Sequence, residues 1–241
     1  MKKAIIIGAS SGIGKGISLE LLSKNYKIAI SARRKNRLDE IKKINSENVL
    51  VYEFDSSTEK NNELLDSMIK DLGRVDLIIY CSGIGLINKE LDYLKDKKVN
   101  NLNVAGFTQV VTYAFNYFIK NGGGHIVNIS SVASEIGNGL ATSYNASKAY
   151  QANYFQGLRF KAFKLKLPIY LTDVRPGFVD TDILMGNKDK LIWVAPLEKA
   201  CRQIISGIER KSKVLYITKR WKIISLLIKI FPEKILRLFF R

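Results

Sequence analysis

Residues 3–22 read KAIIIGASSGIGKGISLELL, and the change of pattern within them decides the fold. Ala4–Ile7 is a short apolar run of the kind a buried strand carries, and from Gly12 onward the chain takes up a helical period. The two are joined by GASSGIG, where Gly8 permits a tight turn and the bare backbone at Gly12 and Gly14 lets strand, helix and a ligand approach closely. A helix that opens on such a loop presents unpaired N–H groups and the positive end of its dipole, which suits a pyrophosphate. Gly8, Ser10, Ser11, Gly12, Ile13 and Gly14 are therefore the candidate phosphate cradle.

The alternation continues along the chain. Ala4–Ile7, Lys27–Ser31, Val49–Phe54, Val75–Tyr80, His125–Ile129, Ile169–Val174 and Val214–Ile217 are predicted strands. Helices are predicted over Gly12–Asn25, Arg34–Asn45, Glu59–Leu72, Lys97–Asn121, Ser143–Lys166 and Leu197–Glu209. Strands separated by helices imply an α/β protein, a doubly wound, seven-stranded parallel sheet with helices on both faces. Right-handed crossovers favour the strand order 3-2-1-4-5-6 with one added edge strand, and ligands then bind beyond the carboxyl ends of the strands. A chain of 241 residues fits one domain, here residues 1–218, followed by a basic amphipathic tail at residues 219–241.

The second strand ends in Ser31-Ala32-Arg33-Arg34, where a dinucleotide site that prefers NAD carries an acidic residue for the ribose 2′-hydroxyl. No carboxylate stands there. Arg33 and Arg34 offer planar, permanently charged donors for a 2′-phosphate, and Arg33 also suits stacking on adenine, so NADP(H) is the predicted cofactor.

Further along, SSVASEIGNGLATSYNASK places Ser131 at the end of the fifth strand and Tyr144 and Lys148 four residues apart, on one face of the next helix. A phenol is a poor acid–base group at neutral pH, but a nearby ammonium is expected to lower its pKa. Tyr144 then exchanges a proton with a carbonyl oxygen while Ser131 hydrogen-bonds the same oxygen.

These residues together resemble the short-chain dehydrogenase/reductase family: a GxxxGIG loop, a serine thirteen positions before the tyrosine, YxxxK and a later Pro-Gly turn, over roughly residues 3–209. The resemblance implies a Rossmann-like catalytic domain and an Asn103-Ser131-Tyr144-Lys148 tetrad. In it, Asn103 sits in a helix distortion and holds, through its backbone carbonyl, a water that links Lys148 to a proton relay. It further implies that Lys148 contacts the nicotinamide ribose, Asp55 the adenine, and the segment Pro176-Gly177-Phe178-Val179-Asp180-Thr181 the nicotinamide amide. Where the family usually has NNAG, this chain has Tyr80-Cys81-Ser82-Gly83; only Gly83 matches, the usual asparagine contribution is missing, and the backbone of Ser82 and Gly83 is left to line the adenine ribose. The long helices around Asn103 and Tyr144 imply a homodimer or homotetramer.

The charge is unusual. Thirty-nine Lys and Arg stand against 22 Asp and Glu, for a net +17. Residues 210–241 hold ten basic residues and one acidic, hence +9. In KRWKIISLLIKIFPEKILRLFFR, Lys222, Ser225, Lys229 and Glu233 form a narrow polar stripe with Trp221, Ile224, Leu227, Ile228 and Phe231 around the rest. Pro232 breaks the helix, and Ile235, Leu236, Phe239 and Phe240 form a second apolar patch. No uncharged run reaches the roughly 18 residues of a spanning helix, so the pattern points to a helix lying on an anionic membrane surface. Packing of the tail on the domain or on a partner subunit competes with that reading. Nucleic acid is not expected, because bulky aliphatics interrupt the basic residues.

An apolar strand with no cleavage site at the start of the chain points to the cytoplasm, at most peripheral on the inner face of a membrane. Cys81 and Cys201 lack metal-ligand or CxxC spacing and read as reduced core thiols. His125, the single histidine, reads as structural, and no metal is expected. The expected activity is reduction of a carbonyl, or oxidation of the alcohol, by hydride transfer. A lid between Asp182 and Pro196, carrying Ile183, Leu184, Met185, Leu191, Ile192 and Trp193, points to an apolar, lipid-like or steroid-like substrate. A catalytically idle NADP(H)-binding module and a nucleotide-sugar epimerase or dehydratase are the alternatives.

Overall fold

The computed structural model describes residues 1–182, 191 and 193–237. Seven parallel strands form one sheet in the order β3-β2-β1-β4-β5-β6-β7, the predicted order with β7 as the added edge. They are β1 (Lys3–Ile7), β2 (Lys27–Ala32), β3 (Val49–Glu53), β4 (Leu77–Tyr80), β5 (Gly124–Ile129), β6 (Ile169–Pro176) and β7 (Val214–Ile217).

The strands are apolar on both faces because both faces are covered. Successive side chains of a strand point to opposite sides. Ala4 and Ile6 of β1 join Ile17 and Leu21 of α1 (Gly12–Ser23), Leu38 and Ile41 of α2 (Lys35–Ile44) and Ile204 and Ile208 of α7 (Leu197–Glu209). Ile5 and Ile7 point the other way, into Leu65 and Met68 of α3 (Asn61–Leu72), Val111 and Phe115 of α5 (Phe107–Lys120) and Phe155 of α6 (Thr142–Leu165). Slipping β1 by one residue would exchange the two sets, so the register Ile5↔Ala29 and Ile5↔Ile78 follows from this packing.

One element differs from the sequence expectation. The single helix predicted over Lys97–Asn121 is α4 (Tyr93–Asn100), a π-helical turn at Asn101–Gly106, and then α5. A π turn breaks the i→i−4 ladder and frees backbone carbonyls, and buried side chains take them up: Tyr80 Oη donates to the Leu102 carbonyl at 2.7 Å and Gln151 Nε2 to the Asn103 carbonyl at 2.8 Å. Beyond β7 the tail forms α8 (Lys219–Ile230) and, after Pro232, the short α9 (Glu233–Leu236). Among the described residues no helix is long and apolar enough to cross a membrane.

The polar stripe expected on the tail does not face away from the domain. Ser225 is buried, Lys229 reaches Glu135 at 3.1 Å, and Trp221 packs edge-on against Phe178, with ring centroids 5.5 Å apart. The buried Glu135 carboxylate and the groove over Gly177 draw this side of α8 inward. Phe239 and Phe240 of the second expected patch lie outside the described residues, as do Ile183, Leu184, Met185 and Ile192 of the expected lid.

Candidate active site

The loop after β1 is held by its own backbone. The N–H groups of Gly8 and Ala9 donate to the Ser31 carbonyl at 2.8 and 3.0 Å. Gly8 has φ +92°, and a Cβ there would stand 2.6 Å from the Ser82 nitrogen, so both conformation and space require glycine. A Cβ at Gly14 would stand 2.1 Å from the Gly8 carbonyl oxygen, closer still, and Ile13 packs on the core. Ser11 is the N-cap of α1, yet its hydroxyl does not cap the helix. It accepts instead from Arg34 Nη2 at 2.8 Å, and Ser10 Oγ accepts from the same nitrogen at 3.0 Å. Arg34 thus ties the end of β2 to the cradle, and the first turn of α1 lacks a side-chain cap that would compete with an anion.

Arg33 is exposed beside Asp55, 4.0 Å away, at a hollow that both line together with Glu53, Phe54, Thr58 and Lys60. Asp55 also accepts from the Ser57 N–H and hydroxyl. On the other side of the cradle, Gly12 faces Thr181 of the segment Pro176–Thr181, whose Val179 is buried. The loop after β4 spans both regions: Ser82 lies against Gly8, while Gly83 lies against Lys148 Nζ and Asn103 Oδ1.

Ser131 stands immediately beyond β5, where the extended backbone ends, and Tyr144 and Lys148 rise from the first turns of α6. The Ser131 hydroxyl, which accepts from the Ala133 N–H at 3.1 Å, lies beside the Tyr144 phenol, whose ring lies against Gly85. Lys148 is buried under the pair, its Nζ 5.9 Å from the centre of the Tyr144 ring. Asn103, 0% exposed in the π turn, accepts from the Ile84 N–H at 3.0 Å and donates to the Ile84 carbonyl at 2.9 Å, which fixes the loop after β4.

The electrostatics depart from the simplest expectation. Burial raises the pKa of Tyr144 above its ordinary value, and the hydrogen bond from Ser131 is the opposing influence. The expected lowering by Lys148 is not what governs the phenol, because the Lys148 ammonium donates to the Ile129 carbonyl at 3.0 Å and to Gln151 Oε1 at 3.2 Å. Burial lowers Lys148 itself to about 8, against the opposing field of Asp173. A protonated phenol beside a hydroxyl is suited to giving a proton.

A family model for the short chain dehydrogenases matches residues 2–191. The chain belongs to this family. It is 29% identical to the 11-beta-hydroxysteroid dehydrogenase 1A of Arabidopsis thaliana, over 92% of this chain and 72% of that protein. Among solved structures, a short-chain dehydrogenase from Sphingobium yanoikuyae in complex with NADPH superposes with a TM-score of 0.82 at 22% identity, covering 96% of this chain and 97% of that one. The protein ElxO with NADP bound superposes at 0.79 with 24% identity, over 90% and 96% of the two chains. Like these relatives, this short-chain dehydrogenase is an oxidoreductase of the alcohol and carbonyl class.

Several residues of this short-chain dehydrogenase escaped the sequence reading. Gln151, 0% exposed, links the Lys148 ammonium to the Asn103 carbonyl, the place given above to a water. Its position three residues after Lys148 on one helix face was the available signal. Tyr80 stands where the family usually has an asparagine and braces the π turn by a different contact. Glu135 and Asp173 flank Arg175 at 2.5 and 2.7 Å, and Asp173 accepts from Ser130 Oγ at 2.6 Å. Asp173 and Arg175 share one face of β6, but nothing local in the sequence brings Glu135 to them. Cys81 and Cys201 carry free thiols, and His125 shares a hydrogen bond of 2.8 Å with Thr172.

Proposed function

We propose that this short-chain dehydrogenase is an NADP(H)-dependent carbonyl reductase acting on an apolar substrate, with Tyr144 as acid–base. One observation carries the reading: the Ser131–Tyr144 hydroxyl pair over a buried Lys148 opens beside the Gly8 cradle, with Ser82 and Gly83 joining the two. The residues fit a 2′-phosphorylated dinucleotide. Gly8, Ser10, Ser11, Gly12, Ile13 and Gly14 would take the pyrophosphate; Arg33, with Arg34 behind it, the 2′-phosphate; Asp55 the adenine; Ser82 and Gly83 its ribose. Lys148 would take the nicotinamide ribose, and Pro176, Gly177, Val179 and Thr181 the nicotinamide amide. Arg33 stands beside an open hollow, and the sequence offers no carboxylate at the end of β2. The NADPH and NADP named for the two similar structures point the same way.

The cofactor, when bound, supplies a hydride. Tyr144 gives its proton to the substrate oxygen, Ser131 hydrogen-bonds that oxygen, and Lys148, aligned by Gln151, presents positive charge beneath the phenol. The elevated Tyr144 pKa favours reduction, the direction in which the phenol must start protonated. The partly exposed Trp193 ring beside Trp221, with the hydroxysteroid dehydrogenase name of a relative, supports an apolar carbonyl.

We further assign the chain to the cytoplasm, peripheral on the inner face of a membrane, as a homodimer or homotetramer. Phe160 and Phe163 on α6 are solvent-exposed, Phe163 by 84%, and suit a subunit contact.

The test is NADPH oxidation across aldehydes and ketones, with Tyr144→Phe as control. Consumption of NADPH by the natural enzyme and its loss in Tyr144→Phe are expected. Equal rates in both would overturn the reading, and isomerisation without net NADPH consumption would favour an epimerase.

A further inference from the structure

Helix α8 has two faces. Trp221, Ile224, Ser225 and Ile228 recur at helical spacing and turn toward the domain. Trp221 fills the groove over Gly177, where a Cβ would stand 1.9 Å from its Nε1, and lies 6.2 Å from Trp193. The opposite face carries Ile223, Leu226, Leu227 and Ile230; Ile223, Leu226 and Ile230 are 64%, 59% and 67% exposed. On a helical projection Arg220 flanks this stripe on one side, and Lys222 and Lys229 on the other, while Lys219 lies at its end. A helix clamped by one face would ordinarily show water a polar other face. Here that face is aliphatic.

We propose that this outward face of α8 docks on an anionic lipid bilayer, with Ile223, Leu226, Leu227 and Ile230 in the acyl boundary and Arg220 and Lys222 at the headgroups. Charge selects the occupant. Residues 210–241 sum to +9, so a second copy of this chain brought face to face would oppose like charges along the whole contact, whereas an anionic surface matches them. Geometry gives the docking a use. The inner face of the same helix rests on Gly177 and Phe178, so the docked helix would hold the segment assigned above to the nicotinamide amide close to the lipid surface. That use rests on the carbonyl reductase reading; the docking itself does not.

The experiment is co-sedimentation of the full chain with phosphatidylcholine vesicles, with and without phosphatidylserine, comparing the natural protein with Leu226→Glu/Ile230→Glu. Both substituted side chains point outward, so the fold is kept, and NADPH oxidation with a small soluble aldehyde in the absence of vesicles is expected to be unchanged. The two tryptophans, Trp193 and Trp221, report folding by emission. The natural protein is expected to pellet with phosphatidylserine vesicles and to be released by high salt, and the double variant to bind on the order of tenfold less. Binding equal in the two proteins, or no pelleting of the natural one, overturns the docking. So does a double variant that binds vesicles normally but changes from dimer to monomer in sedimentation velocity, which would assign the face to a second copy. Vesicle binding with no carbonyl turnover would overturn the reductase reading and leave the docking standing.

Discussion

Lys229 of the C-terminal helix forms an ion pair of 3.1 Å with Glu135, four residues beyond Ser131, and so joins the tail to the turn that Ser131 opens. Burial pushes the Glu135 carboxyl up, but the Tyr216 hydroxyl together with Arg175 and Lys229 holds it below its usual range. Its side chain is nearly inaccessible, whereas that of Lys229 is more than half exposed. Removing Glu135 leaves Arg175 short of a partner inside the protein; removing Lys229 takes away a solvated charge. Glu135→Gln is therefore expected to destabilise the fold by about 2–4 kcal/mol and Lys229→Met by about 0–1 kcal/mol. Urea unfolding checks this, and equal losses would show that the pair acts as one buried unit.

Tyr144→Phe keeps the ring against Gly85 and removes only the proton donor. Turnover is expected to fall by about 10²–10⁴-fold with NADPH affinity nearly unchanged. Fluorescence titration beside steady-state rates separates the two, and a matching loss of NADPH affinity would point to a cofactor contact instead.

Arg33 and Arg34 look equivalent in the sequence, yet their contacts differ. Arg34 holds Ser10 and Ser11, part of the cradle that any dinucleotide would use, while Arg33 borders the open hollow. Arg33→Ala is expected to weaken NADPH by about 10–100-fold and to leave NADH nearly unaffected. Arg34→Ala is expected to weaken both. Calorimetry with each nucleotide reads the difference, and a loss of NADPH selectivity only in Arg34→Ala would reverse the roles.

What was legible in the sequence was whatever is local and periodic. The apolar runs of β1 to β7 and the loop Gly8–Gly14 declare themselves within a few residues, and right-handed crossovers then leave little choice of strand order. That Tyr144 and Lys148 share one helix face was legible because spacing along a helix is a short-range fact, whereas Asn103 entered only through the family resemblance. The Lys148–Gln151–Asn103 link was not, since 48 residues separate Gln151 from Asn103 and only the folded sheet brings them together. The orientation of α8 was hidden for the same reason: Ser225 and Lys229 look like a solvated stripe until the buried Glu135 carboxylate and the space over Gly177 are in view.

His125 supplies a pH test of stability. Burial lowers its pKa from about 6.5 to about 4, with Lys211 adding to the effect. Between those values the unfolded chain binds more protons than the native one, so stability falls as the pH drops through that window and is fully kept above about 6.5. The difference is worth about 3 kcal/mol. Urea unfolding at pH 7.5 and pH 4.5 measures it, and His125→Asn is expected to flatten the slope. An unchanged slope would place the acid sensitivity on carboxylates instead.

Gln151 supplies the sharpest pH test of the site. Its Oε1 accepts from the Lys148 ammonium at 3.2 Å, and an acceptor of that kind favours the charged form. Lys148 is already lowered to about 8 by burial, so kcat/KM for reduction is expected to decline above that pH as the ammonium is lost. Gln151→Leu removes the acceptor and also leaves the Asn103 carbonyl without its donor, and the decline is expected to begin about one pH unit lower. Gln151→Glu puts a carboxylate against the same ammonium, and the decline is expected to move to higher pH. A role for Gln151 in packing alone would lower the rate in both variants while leaving the alkaline limb in place, so opposite displacements of that limb distinguish alignment of Lys148 from support of the helix.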